Sequence, residues 1–207
     1  MMDIGGFLMG VTATLIGVAA TVAATRKIES IKMSLESEKQ RDVLYIELRD
    51  LAVQCADDIR LMHNNYCVVH KLAKGIYKEE QVKEMTFPRP PTMLLLESAT
   101  ENCFSILTKE QRDGVRSVIH LINISQSELT YLCENTRASE FASADEAKFR
   151  LYLSSLCAIY HLAINMSEEK ERFKVIDKTP EQTFQSVLES LGLGVDFKSI
   201  MAHRIAA

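Results

Sequence analysis

Hydrophobic and polar positions alternate along this chain with two distinct rhythms. The first 25 residues follow one and the remainder follows the other. Residues Ile4 to Thr25 form a run of 22 side chains without a charge. Within it Gly6, Gly10, Ala13, Gly17, Ala20 and Ala24 recur at spacings of four and three. Ile4, Leu8, Val11, Leu15, Val18 and Val22 repeat the same spacing two positions earlier. At about 100° per residue, that offset turns the second stripe to the opposite side of a helix. The pattern predicts a helix with one flat, small-residue face and one bulky face. About 20 apolar residues suffice to cross the hydrocarbon core of a bilayer. Helices that pack closely inside membranes present small residues to their partners. Residues 1–25 therefore read as a transmembrane helix, with Gly6, Gly10, Ala13, Gly17, Ala20 and Ala24 as its packing face. A cleaved signal peptide fits less well, because the only charged side chain before the run is that of Asp3. A buried helix of a soluble core is the third reading.

Below the run the period stays helical. Ile28, Ile31 and Leu35 make a short stripe, followed by the wholly polar stretch Glu36–Asp42. This reads as a solvated helical stalk over residues 26–42, with a flexible joint as the alternative. Then Leu44, Leu48, Leu51, Cys55, Ile59, Met62, Tyr66, Val69 and Ala73 keep spacings of three or four throughout, the mark of a long amphipathic helix. Residues 26–74, if helical, reach about 74 Å at 1.5 Å per residue. Gly75 is a natural stop, and a short charged helix over Lys78–Met85 is expected beyond it. Phe87-Pro-Arg-Pro-Pro-Thr92 cannot be helix interior and reads as a rigid connector.

Helical signals return at once. Met93–Leu107 carries Leu96, Ala99, Cys103 and Ile106 on one side. Thr108 with Gln111 is a capping-box pattern that opens a helix bearing Val115, Val118, Ile122, Leu129 and Leu132. Ser143 with Glu146 repeats the pattern ahead of Phe149, Leu153, Leu156, Tyr160 and Ala163. Thr179-Pro180 with Gln182 opens another helix, which carries Phe184, Val187, Leu188 and Leu191 and stops at Gly192. A last short helix fits 195–207. No segment alternates with period two between turn signals, so the expected fold class is all-α. The architecture read from the chain is one N-terminal transmembrane helix continuing into a helical stalk, then an antiparallel helical bundle over residues 43–207.

Charge orients this arrangement. Arg26 and Lys27 follow the run directly, then Lys32, Lys39 and Arg41. Basic flanks favour the cytoplasmic side, which places the N-terminus outside and the bundle in the cytosol. Five scattered cysteines, with no paired spacing, fit a reducing compartment better than a disulfide framework. With 24 basic and 28 acidic residues and no basic stripe interleaved with aromatics, a nucleic-acid partner is not expected.

Candidate chemistry is sparse. Phosphate-binding glycine loops, nucleophile elbows and His-Glu-x-x-His are absent. His63, Cys67 and His70 share one helix face, and Cys157 and His161 lie four apart on a later helix. Together they contain the donors of a tetrahedral Cys2His2 zinc site. The plainer account is that the cysteines are small core residues and the histidines are hydrogen-bonded, so no metal or cofactor is expected. Arg116 and His120 sit one turn apart, a cation beside a base; the plainer account is a surface arginine next to a partly buried histidine. Asp57-Asp58 and Glu79-Glu80 are adjacent pairs that do not share a helix face, so neither reads as an acid/base couple.

The function expected from these signals is non-enzymatic. The span would associate with itself or with a partner membrane helix, and the bundle would bind a protein partner in the cytosol. The alternative is an oligomeric pore-forming effector, with Thr14 and Thr21 beside the small face as polar lining.

Overall fold

A computed structural model describes residues 4–77, 85–90, 94–135, 143–174 and 178–202; side chains at 4–16, 94–97, 143–145, 197, 201 and 202 lie outside the described set. Six α-helices are arranged in chain order: α1 (Ile4–Ala73), α2 (Leu94–Cys103), α3 (Lys109–Asn135), α4 (Ser143–Glu169), α5 (Pro180–Ser190) and α6 (Phe197–Ala202). Short 3-10 turns follow α2 and α4 at Phe104–Ile106 and Lys170–Arg172. Among the described residues there is no strand, and the fold class is all-α.

One helix dominates. α1 runs for 70 residues without a break, about 105 Å at 1.5 Å per residue. No glycine or proline interrupts it between Gly17 and its end. It crosses positions 25 and 42 as continuous helix, so the stretch Glu36–Asp42 is helical and not a loose joint. Residues 17–36 are exposed without exception, and burial begins with partial cover at Ser37 and becomes complete at Leu44. α1 is therefore an uncovered arm over residues 17–36 and the spine of a bundle in its last thirty residues.

The predicted transmembrane span is not supported by the described residues, among which no helix is long and apolar enough to cross a membrane. Gly6, Gly10 and the side chain of Ala13 fall outside the residues whose side chains are described, and of the helix expected over Lys78–Met85 only Met85 is described, without regular structure.

The bundle has two layers of core along the spine. Nearer the arm, Leu44, Leu48 and Cys55 of α1 meet Ala99 and Cys103 of α2, Val115 and Ile122 of α3, and Ile159 and Met166 of α4. Farther along, Ile59, Met62 and Val69 meet Leu129 and Leu132 of α3, Phe149 and Leu156 of α4, and Phe184 and Leu188 of α5. The start of α1's buried half thus lies beside the start of α3 and the end of α4. α4 is antiparallel to both α1 and α3, while α1 and α3 run parallel.

Local chemistry sets the ends of these elements. Gly75 takes φ +66, and the Gly75 and Ile76 N–H groups donate to the carbonyls of Leu72 and Lys71. Gly192 does the same at φ +71, with Leu193 N–H donating to Leu188 O at 2.8 Å. Both are Schellman closures, which need a left-handed residue that glycine adopts without a Cβ clash. Thr179 caps α5 through a complete capping box. Thr108 caps α3 in the same way, its Oγ1 accepting from Gln111 N at 3.2 Å while its own N–H donates to Gln111 Oε1 at 2.8 Å. The box expected from Ser143 and Glu146 rests on a Ser143 side chain outside the described set. Glu146 turns away to His70 on α1, with 2.7 Å between Oε1 and Nδ1.

The proline connector is partly described: residues 85–90 carry no regular structure, as expected. The segment lies over the far core, where Phe87 packs against Phe149 and Asn65 Nδ2 donates to Thr86 O at 2.8 Å. α2 is shorter than the expected Met93–Leu107 helix, because its last turn tightens into the 3-10 segment Phe104–Ile106.

Candidate functional site

The arm of α1 carries the described part of the predicted packing face. Gly17, Ala20 and Ala24 are exposed, and a Cβ placed on Gly17 would meet no atom within 4 Å. The bulky side is equally open, with Val18 56% and Val22 45% exposed. The face is thus available to a partner, and nothing from the chain's own bundle competes for it. Thr21 Oγ1 donates to Gly17 O at 2.8 Å and Thr25 Oγ1 to Thr21 O at 2.9 Å. Those hydroxyl protons are held by the helix's own carbonyls, the usual state of threonine in an apolar helix. Thr14 lies outside the described side chains.

The bundle joins His63 to Cys67, whose Sγ lies 3.8 Å from His63 Nε2, but does not gather the whole set. Cys67 and Cys157 are buried in the far core among leucines and phenylalanines. Burial pushes the Cys67 thiol up to about 11 and the Cys157 thiol up to about 12, which opposes the thiolate that a metal requires. His63 Nε2 lies 2.7 Å from Gly194 O, so this nitrogen carries the proton and donates. His70 gives Nδ1 to Glu146. Asn165 Nδ2 lies 3.2 Å from His161 Nδ1, which makes that nitrogen the acceptor. Burial, helped by the nearby Lys178 ammonium, lowers the pKa of His161. Among the described residues no three His, Cys, Asp or Glu side chains converge on a common point that would hold a metal.

Arg116 and His120 also stay apart in role. Arg116 stacks over Phe104 and pairs with Asp113 at 3.5 Å, while His120 is exposed and not partly buried. An open cavity of about 290 Å³ lies between α3, α4 and the start of α5, lined by Leu121, Ser154, Ala158, His161, Lys178 and Thr183. It is at the small end for a ligand site and holds no acid/base couple.

One polar group escaped the sequence reading. Asp58 lies beside the α1 core stripe and has its Oδ2 buried without a hydrogen-bond partner. Burial, with Asp57 adding to it, raises its carboxyl to about 6. The fully buried Tyr152 of α4 likewise has no partner for its hydroxyl. The carboxylate contributes to raising the tyrosine's pKa, after burial itself. Adjacent acidic residues appear unremarkable in sequence; helical projection puts Asp58 at the rim of the core, and this was the available signal.

Family models, curated proteins and solved structures were all compared with this chain, and none matches it.

Proposed function

We propose that this protein is a membrane-anchored adaptor without enzymatic activity. Its N-terminal run spans the bilayer with the N-terminus outside. The small-residue face packs on a second helix, either a copy of itself or a partner span. The bundle is displayed in the cytosol, where it binds a protein. One observation carries this reading: α1 is a single unbroken helix whose described arm, residues 17–36, is uncovered by the rest of the chain. The uncharged part of this arm, residues 17–25, carries a hydration cost in water that insertion or helix pairing removes. Arg26 and Lys27 at the end of the run support the orientation. Four buried free cysteines and one exposed, Cys133, are compatible with a reducing compartment.

Membrane fractionation and a span-association assay test this. The intact chain should resist carbonate extraction, and a chain lacking residues 1–25 should be released. Gly10→Ile and Gly17→Ile should weaken span association while leaving the protein in the membrane. Release of the intact chain by carbonate overturns the anchor. Unchanged association of both variants overturns the packing face. A pore is the second reading, and no observation favours it, since the Thr21 hydroxyl proton is held by Gly17. Depolarisation of cells on expression, abolished by Gly17→Ile, would reverse that preference.

A further inference from the structure

The open cavity of about 290 Å³ between α3, α4 and the start of α5 has an uneven lining. Leu121, Ala158, Leu162 and Pro180 give it apolar walls, and His161 and Lys178 bring it a ring N–H and a cation. No aspartate or glutamate lines it. Acids on neighbouring turns are engaged elsewhere. Glu128 accepts from Ser155 Oγ at 3.0 Å and feels the Lys148 ammonium, and Glu181 pairs with Arg150 at 3.0 Å. No salt bridge among the described residues uses Lys178, whose Nζ donates to the neutral Ser186 hydroxyl at 3.3 Å. Its charge is felt at His161, where it adds to burial in lowering the pKa, so the two groups are close. Asn165 Nδ2 donates to His161 Nδ1, which leaves the proton of the neutral ring on Nε2. That N–H is buried and has no acceptor among the described groups. Buried donors in this state are rare, because nothing offsets the water they have lost.

We propose that this cavity binds a small monocarboxylate with an apolar body, one oxygen meeting the Lys178 ammonium and the other the His161 Nε2–H. Apolar walls with a few convergent polar groups and a histidine of shifted pKa are the common make-up of small-molecule sites. A carboxylate carries one charge on two acceptor oxygens, which match one cation and one N–H. A phosphate fits worse, because its larger charge would be set against chiefly apolar walls with a single cation beside it. A neutral ligand leaves the ammonium without a counter-charge. At about 30 Å³ per water-sized group, the volume takes a body and headgroup of roughly ten non-hydrogen atoms. Nε2 is fully covered, so ligand entry rotates the exposed Lys178 side chain, an adjustment of the kind binding sites commonly make. The site goes beyond the anchoring function, since it lies within the bundle and needs neither membrane insertion nor span packing.

The test uses the full chain in neutral detergent micelles and two probes with the same body, phenylacetate and 2-phenylethanol. Binding is read by NMR at the Leu121 and Leu162 methyl groups and the His161 ring, with each probe's free concentration measured by dialysis. Phenylacetate should bind with a dissociation constant at or below about 1 mM, a modest demand on a ligand of this size. Its affinity should exceed that of 2-phenylethanol by at least about tenfold. Lys178→Met should remove this preference and leave 2-phenylethanol binding as it was. His161→Phe should weaken phenylacetate selectively, because it deletes the N–H and keeps a ring in place. Ala158→Leu should fill the cavity and abolish binding of both probes. Thr183→Leu narrows it from the opposite wall, and serves if Ala158→Leu lowers the unfolding midpoint. Methyl signals that do not move at about 10 mM phenylacetate overturn the proposal, as do equal affinities for the two probes. A preference that survives Lys178→Met, or binding that survives both filling variants, overturns it as well.

Discussion

At the scale of single residues, the bundle contains one side chain that holds three elements together and two that weaken it. Gln111 is 1% exposed. Its oxygen accepts from Thr108 N–H, and its amide donates to Tyr45 Oη at 2.6 Å and to Lys170 O at 2.9 Å. Helix α3, the spine and the end of α4 therefore meet on one amide. Gln111→Ala should cost about 2–4 kcal/mol in urea unfolding, since it removes half of a capping box and leaves buried groups unpaired. Asp58 has the opposite effect. Its carboxyl titrates near 6 when folded, against 3.8 for the free side chain. The folded state thus holds this proton more tightly than the unfolded state does. The penalty for ionising Asp58 is complete above about pH 6 and fades as pH falls toward 4. Asp58→Asn should accordingly stabilise the bundle at pH 7 by about 1 kcal/mol, discounted for partial solvation, and change little at pH 4.5. Tyr152→Phe deletes a buried hydroxyl that has no partner, and unfolding measurements should find it neutral or stabilising, by up to about 1 kcal/mol.

At the scale of elements, α1 is one helix in two environments, and substitutions should report the division. Leu48 is fully buried, and Leu48→Ala should destabilise the bundle by about 2–5 kcal/mol. Ile28→Ala, on the uncovered arm of the same helix, should stay within about 0.5 kcal/mol of the parent. Equal effects at the two positions would mean that the arm packs on the bundle. The helix ends give a second check. Gly192 closes α5 at φ +71, so Gly192→Ala should cost about 1 kcal/mol by forcing a Cβ into the left-handed region.

At the scale of the whole molecule, the arm and the bundle differ in what protects their backbone. The amides of residues 44–73 lie in a helix buried by α2, α3 and α4. Those of 17–36 lie in a helix with no tertiary cover. Helices without packing are marginal in water. Hydrogen exchange in aqueous buffer should therefore be fast from 17 to 36 and slow from 44 to 69. Addition of micelles should slow exchange at the apolar run and leave the bundle unchanged. Slow exchange of the arm in plain buffer would mean that another chain already covers it.

Much of this molecule was readable along the chain because its signals are local. The helices follow from apolar side chains every three or four positions. Thr108, Thr179, Gly75 and Gly192 mark element ends through bonds that reach only a few residues. The same locality makes the alternation of small and bulky residues in the apolar run legible without knowing what it touches. Other features belonged to the tertiary structure alone. Glu146 has the spacing of a local cap, yet it pairs with His70, 76 positions away. Gln111 resembles a simple capping residue in sequence, but its amide joins α1 and α4. His63, Cys67, Cys157 and His161 share helix faces that suggest a metal site, but packing leaves His63 beside Cys67 and Gly194 and turns His161 to Asn165. Asp58 becomes unusual only because Tyr152 and the core close over it. The chain determines by itself which groups are neighbours along a helix. The folded bundle alone decides which distant groups lose their water, and with it their charge state and partners.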